Sequence, residues 1–209
     1  MEAMPLTDEQ TAARRRNRWQ LGMVLVVFLG PVLVAVLLYA NADRWLGGGP
    51  TGQHGQLYQP AKPLESVPFE PVGGVSMTLD DLRGQWTVVV LGDSACGAGC
   101  RDVLYKVRQA HKAQGKNIGR VQRVFVALGG APGEGTRDFL AAEHPKLIPA
   151  RPTRGQTSLA PFRHPDAEGL PGVYVLDPHA NLVMRYGQDF PAKGLIKDLE
   201  SLLKHSTIG

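Results

Sequence analysis

The sequence is poor in the residues that build zinc sites and nucleic-acid surfaces. Only two of its 209 residues are cysteine, and its six histidines include no pair at ligand spacing, which disfavours a structural zinc site. The net charge of +4 comes from four arginines near the N-terminus, Arg14, Arg15, Arg16 and Arg18. Without them acidic and basic residues balance, so no nucleic-acid partner is expected.

A glycine-rich segment around residue 133 lacks the residue that a phosphate-binding loop requires. Such a loop has a lysine between its last glycine and the Ser or Thr, where it neutralises phosphate. Here Gly135 is followed directly by Thr136, and Glu134 adds negative charge. We therefore expect a flexible connection after a strand, with Thr136 as the cap of the next helix.

Charged residues are absent from the nineteen residues between Leu21 and Tyr39. At about 1.5 Å per residue the run is roughly 28 Å long, close to the hydrocarbon thickness of a bilayer. We predict a transmembrane helix at residues 19–40 and a cytoplasmic tail at residues 1–18, because arginines beside an apolar segment stay in the cytoplasm. Cleavage at the small residues 40–42 is an alternative that leaves the rest of the chain in the same outer compartment.

Glycine and proline dominate the segment that follows. Residues 41–63 contain a Gly-Gly-Gly-Pro run and later Pro60 and Pro63, a composition typical of a flexible linker. We expect His54 in this linker to be solvated. The globular domain is placed at residues 64–209.

Strand and helix patterns alternate along that domain. Apolar runs predict strands at residues 87–91, 121–128, 173–176 and 182–186, and helical spacing of apolar residues predicts helices at 103–115, 136–143 and 195–203. The last two strands flank a turn rich in Asp, Pro and Asn, which predicts a hairpin. The order predicts an α/β fold with a mixed sheet flanked by helices.

The two cysteines lie where a buried strand ends and a helix begins. At that position, unpaired amides and the positive end of the helix dipole lower the pKa of a thiol, and Arg101 adds a neighbouring cation. Cys96 and Cys100 are four residues apart, which on a helix places their Cα atoms about 6 Å apart. This separation lies within the disulfide range of roughly 4.4–6.8 Å.

Three interpretations of the pair remain open on the residues alone. A structural disulfide is common in exported proteins, although a bridge that closes so short a loop adds little stability. Reversible thiol–disulfide exchange is the second, with Cys96 at the exposed start of the helix attacking and Cys100 resolving the mixed disulfide. Binding of Cu(I) by both thiolates and a further ligand is the third.

The Cys-x-x-x-Cys motif after its strand, together with residues 120–126 and 174–178 and the Tyr-Gly-Gln at 186–188, resembles the Sco (SenC) family of the thioredoxin superfamily. The resemblance covers about residues 76–204. It implies a thioredoxin-like mixed sheet, a membrane anchor and a role in assembling the copper centre of cytochrome c oxidase. It also implies Cu(I) as the candidate cofactor, although the residues alone establish none.

The chain departs from the Sco pattern at two positions. Arg101 stands where that family has a proline, and the position of the family's copper-binding histidine falls near Gly169. His164, five residues upstream, becomes the candidate third metal ligand beside Cys96 and Cys100 if the loop at 151–168 folds back.

The segment around Pro171 is similar to thioredoxin and its cytochrome-maturation relatives. In those proteins a cis-proline before the corresponding strand faces the active-site sulfurs. This likeness implies that Pro171 has a cis peptide bond, lies beside Cys96 and joins Cys96 and Cys100 as a catalytic residue.

Two functions follow from the motif and the resemblance together. The first is a thiol–disulfide oxidoreductase, anchored in the inner membrane with its domain in the periplasm. Its partners would be exported protein thiols, among them a cytochrome oxidase subunit. The second is a Cu(I)-binding, Sco-like metallochaperone without enzymatic turnover.

Overall fold

The structure, a computed structural model, describes residues 8–40, 54–74, 76–164 and 169–208, with the backbone alone described at residues 8–21 and 39. The chain divides into two compact units, residues 1–52 and 53–209. Residues 1–7 of the predicted tail and residues 41–53 of the predicted linker lie outside the described residues.

In the first unit the described residues form helix α1 at Asp8–Ala40. It covers the predicted apolar segment and begins earlier than predicted, since residues 8–18 are rich in the good helix formers Ala, Arg, Glu and Gln. From Met23 to Leu38 the large apolar side chains of α1 are exposed. As far as side chains are described, no helix of the chain is long and apolar enough to cross a membrane.

The described residues of the second unit form seven strands and four α-helices. The strands are β1 (Gln56–Pro63), β2 (Phe69–Pro71), β3 (Trp86–Gly92), β4 (Val121–Ala127), β5 (Leu147–Gln156), β6 (Gly172–Leu176) and β7 (Asn181–Tyr186). The helices are α2 (Leu79–Leu82), α3 (Ala98–Ala113), α4 (Glu134–Glu143) and α5 (Ala192–His205), and 3₁₀-helices lie at Gly115–Arg120 and Thr157–Phe162. The four predicted strands and three predicted helices are therefore confirmed.

The seven strands form one mixed sheet in the order β1-β7-β6-β3-β4-β5-β2. At its centre β3 pairs in parallel with β4 and antiparallel with β6, so that Val89 lies between Val124 and Tyr174. All seven residues of β3 are buried, as its continuous apolar run predicts for a strand covered on both faces. The predicted α/β fold with a mixed sheet is confirmed.

Alternate residues of β3 enter two different cores. Val88 and Val90 pack on the face covered by α3 and α5. Val89 and Leu91 pack on the other face, against aromatic side chains that include Phe69. Because successive side chains of a strand point to opposite faces, β3 is held from both sides.

The linker prediction is wrong for residues 56–63, which form the edge strand β1 paired antiparallel with β7. Its prolines suggested a linker because proline cannot donate to a strand ladder. An edge strand has one side without a partner, and proline is tolerated there. The pairing is irregular between Leu57 and Lys62, and most side chains of β1 are exposed, so the strand carries no apolar pattern.

His54 is not the solvated side chain that its polar surroundings predict. Its Nδ1 lies 3.1 Å from Oδ1 of Asp198 on α5, whose side chain is only 4% exposed. The backbone amides of His54 and Gly55 donate to Oδ2 of Asp198 at 2.9 and 3.0 Å. The Tyr186 hydroxyl donates to the same oxygen at 2.6 Å. One buried carboxylate therefore joins the start of the folded unit to α5 and β7.

Burial raises the pKa of Tyr186 well above its usual range. The Asp198 carboxylate raises it further, because it accepts a hydrogen bond from the neutral hydroxyl and repels a phenolate charge. The hydroxyl therefore stays protonated and remains a donor to Asp198. The Met184 sulfur lies 3.0 Å from the same hydroxyl oxygen.

Replacing the buried carboxylate tests this junction. We expect Asp198→Ala to lower the free energy of unfolding by about 2–4 kcal/mol, because two amides and one hydroxyl lose their acceptor inside the protein. Glu200→Ala, on the exposed face of the same helix, is the matched control and should change stability by less than about 0.5 kcal/mol. Urea unfolding of both variants measures the difference, and equal values would contradict a structural role for Asp198.

Candidate thiol–disulfide site

Cys96 and Cys100 are joined by a disulfide, with their Cα atoms 5.1 Å apart. Strand β3 ends at Gly92, and α3 begins at Ala98 with Gly97 as its N-cap. Cys96 therefore precedes the helix, whereas Cys100 lies in its first turn. The expectation of two helical cysteines about 6 Å apart is corrected: only Cys100 is helical, and the loop brings the Cα atoms closer.

A tight turn holds Cys96 in place. Its backbone amide donates to the carbonyl of Asp93 at 3.0 Å, and its φ of +40° lies in the left-handed region that residues with a side chain rarely adopt. Its carbonyl accepts a hydrogen bond from Nε of Arg101 at 3.2 Å. Such a conformation persists only where the surrounding contacts hold it.

Arg101 was expected to act as a cation beside the thiols. The structure shows it bound to the Cys96 carbonyl, with its guanidinium carbon 4.6 Å from the ring centroid of Phe139 on α4. This cation–π contact directs the charge towards α4. We therefore infer that Arg101 stabilises the turn at Cys96.

The glycine-rich segment supports the loop before the cysteines. The carbonyl of Ser94 accepts hydrogen bonds from the Gly133 amide at 3.1 Å and from the Thr136 hydroxyl at 2.9 Å. The prediction that Thr136 caps the helix is wrong, because Gly133 is the N-cap residue and α4 begins at Glu134. The Thr136 hydroxyl is buried and serves the neighbouring loop instead.

Gly92 leaves room for the Cys100 sulfur at the end of β3. A Cβ atom at this position would lie 3.2 Å from Sγ of Cys100 and 3.1 Å from a ring carbon of Phe125 on β4. Both distances are tighter than ordinary packing allows. The absence of a side chain at Gly92 therefore sets how closely the disulfide approaches the sheet.

A pocket of about 210 Å³ opens over the disulfide. Its walls come from the end of β3, the start of α3 and the segment that enters β6. Its lining includes Cys100, Pro171, Gly172 and Gln188. Cys96 is fully buried and does not line it. The prediction that Cys96 is the exposed cysteine is therefore wrong for this disulfide state, because the turn folds its side chain inward.

Pro171 lies in the wall of the pocket that Cys100 lines, so the structure brings this predicted residue to the thiol site. The predicted cis peptide bond is wrong: the cis bond among the described residues is Gln59–Pro60, and the bond before Pro171 is trans. Trans is the favoured isomer even for proline. The backbone turns into β6 at Gly172, whose φ is +156° and whose missing Cβ leaves room for the carbonyl of Tyr186.

His164 lies at a different pocket, lined mainly by β1. Its Nε2 is 3.5 Å from the carbonyl of Leu57, and its ring packs edge-on against Tyr58 with centroids 4.9 Å apart. The structure therefore does not bring the predicted third metal ligand to Cys100. Among the described residues, no group of three His, Cys, Asp or Glu side chains could hold a metal ion.

Of the three predicted copper ligands, only Cys96 and Cys100 lie close together, and both would bind through sulfur. Thiolates suit Cu(I), which is a soft ion. In the disulfide they are bonded to each other and cannot bind a metal. The described part of the site thus holds two bonded sulfurs beside a pocket, with the predicted histidine ligand elsewhere.

The fold and the site define a thioredoxin-like protein with a disulfide at the start of a helix. The chain belongs to the family described as "Transmembrane-like, thioredoxin-like, C-terminal domain", whose model matches residues 86–206. No curated protein matches the chain.

Solved structures with the same fold include several Sco proteins. The copper-bound Sco1 of yeast is 18% identical, with a TM-score of 0.57 over 70% of this chain and 95% of that one. The apo Sco1 of Thermus thermophilus is 19% identical, with a TM-score of 0.56 over 72% and 96%. BsSco, described with a disulfide switch and as a member of the Sco family of cytochrome c oxidase assembly proteins, is 16% identical, with a TM-score of 0.52 over 70% and 96%. These similarities confirm the predicted thioredoxin-like fold.

Crowding the disulfide tests the role of Gly92. We expect Gly92→Ala to lower the unfolding free energy of the oxidised protein by about 1–3 kcal/mol, since its methyl group would press on Cys100 and Phe125. Gly99→Ala is the control, because a Cβ there meets nothing within 4 Å and alanine is the better helix former. Urea unfolding gives both values, and a Gly92→Ala protein as stable as the control would contradict the packing argument.

Proposed function

We propose that the chain is a membrane-anchored thiol–disulfide oxidoreductase that acts on the thiols of exported proteins. The observation that carries this proposal is the disulfide between Cys96 and Cys100, with Cys100 lining an open pocket beside Pro171. A purely structural bridge would close a loop of only five residues and would restrict the unfolded chain very little.

Membrane placement rests on the sequence. The uncharged run from Leu21 to Tyr39 follows four arginines, a pattern typical of a single span with a cytoplasmic N-terminus. We propose that α1 anchors the protein in the inner membrane and that the domain lies in the periplasm. A disulfide is stable in that oxidising compartment.

The client is proposed from the structural relatives. BsSco is described as belonging to a family of cytochrome c oxidase assembly proteins, and yeast Sco1 has been solved with copper bound. We propose that this chain reduces disulfides of exported proteins, including a disulfide between the copper-binding cysteines of an oxidase subunit, so that the resulting thiols can receive metal.

A second candidate function is transfer of Cu(I) without enzymatic turnover. The copper bound to yeast Sco1 favours it, and in the reduced state two thiolates would be available here as soft donors. The contacts of His164 with Leu57 and Tyr58 argue against a site with that histidine. Copper is therefore the weaker proposal.

Loss of either sulfur tests the exchange function. We expect the full-length protein to accelerate reduction of insulin disulfides by dithiothreitol, and Cys96→Ser and Cys100→Ser each to return the rate to its uncatalysed value, because one sulfur cannot complete the cycle. His179→Ala, in the exposed β6–β7 turn, should keep the full rate. A Cys96→Ser, Cys100→Ser double variant that still accelerates the reaction would disprove the proposal.

Copper stoichiometry separates the two candidates. We expect the reduced full-length protein to lose Cu(I) to a competing bathocuproine chelator, and His164→Ala to change the competition less than about twofold, because His164 lies at another pocket. Retention of one Cu(I) per chain that depends on His164 would instead favour the metallochaperone. Copper content after gel filtration provides the measurement.

A further inference from the structure

The two ends of the disulfide differ in their access to solvent. Cys96 is 0% exposed, because the turn after β3 folds its side chain into the core on the α3 side of the sheet. Cys100 is partly exposed and is the cysteine that lines the pocket. A molecule entering the pocket therefore meets the Cys100 end of the bond.

We propose that an incoming thiolate opens the disulfide at Cys100, an assignment that rests on the proposed exchange function. The thiolate sulfur forms a new S–S bond with Sγ of Cys100, and the bond between Cys100 and Cys96 breaks. Its electron pair remains on Sγ of Cys96, which becomes a thiolate. The sulfur of the incoming thiol is thereby oxidised to a disulfide sulfur, and the Cys96 sulfur is reduced to a thiolate.

The position of Cys96 suits it to be the leaving group. It stands immediately before the N-cap Gly97, at the end of α3 where amides are unpaired and the helix dipole is positive. Negative charge is stabilised at this end of a helix, so a thiolate released at Cys96 forms in a favourable position. Attack at Cys100 thus places the new negative charge at the start of the helix.

Two sides of the pocket are lined by residues with small side chains, which leaves room for a thiol to approach Cys100. Gly97, Ala98 and Gly99 line one side, all exposed, and Pro171 and Gly172 line another. None of these five residues has a long side chain; Gln188, which also lines the pocket, has one and is exposed. The geometry suits a cysteine on an extended segment of a partner protein.

The reverse step assigns roles in the reduced protein. Because exchange is reversible through the same mixed disulfide, Cys100 is the sulfur that bonds to a client and Cys96 is the one that resolves the bond. This order is the opposite of the one that the sequence predicts.

Trapping the mixed disulfide tests the assignment. The oxidised full-length protein is treated briefly with 2-mercaptoethanol, and the released thiolate is blocked with N-ethylmaleimide. Trypsin then produces one peptide, residues 84–101, that contains both cysteines, and tandem mass spectrometry locates each label. We expect mercaptoethanol on Cys100 and maleimide on Cys96 to exceed the reverse arrangement by at least about ten to one.

The same reaction in guanidinium chloride is the control, because unfolding removes the difference in burial and both arrangements should then form in similar amounts. A folded protein that carries mercaptoethanol mainly on Cys96 would overturn the assignment and leave the exchange function intact. A disulfide that resists the thiol at both sulfurs would overturn the assignment and the exchange function together.

Discussion

Burial of β3 on both faces is the constraint on which the position of the thiol site depends. Its side chains alternate between two apolar cores, and its backbone pairs with β4 on one side and β6 on the other. The strand cannot slide without exposing apolar groups on both faces. Its last residue, Gly92, is therefore a fixed point, and the Cys100 sulfur packs directly against it.

The loop between this fixed point and α3 makes the two sulfurs unequal. Cys96 sits in a turn before the helix and Cys100 in its first turn, so that one side chain faces the core and the other faces the pocket. Contacts from a distant part of the chain hold the turn, through the Ser94 carbonyl and the N-terminal end of α4. The geometry of this site thus depends on the sheet and on two helices together.

The edge of the domain is organised by a different interaction. The buried Asp198 carboxylate accepts hydrogen bonds from His54, Gly55 and Tyr186. His54 and Gly55 lie at the beginning of the second unit. Edge strand β1 follows directly. An exposed edge strand has little apolar surface to bury. The polar network therefore stabilises this edge of the domain, whereas the two apolar cores stabilise its centre.

The amino-acid order by itself determined the elements whose patterns are local. The buried run of β3 and the apolar spacing of α3 and α5 were predictable, because each reflects burial of that segment. The proximity of Cys96 and Cys100 was predictable too, since a separation of four residues limits the distance between them. The thioredoxin-like arrangement followed from the motif and its resemblance to known families.

Only the tertiary structure decided the features that depend on distant contacts. The prolines of β1 gave it the composition of a linker, and the segment is a strand because it pairs with β7 at the edge of the sheet. The partner of His54 is 144 residues away in the chain, and the close approach of Gly172 to the Tyr186 carbonyl depends on the pairing of β6 with β7. Which sulfur faces solvent was likewise set by the fold, because burial depends on what the turn packs against and the spacing of two cysteines contains no information about that.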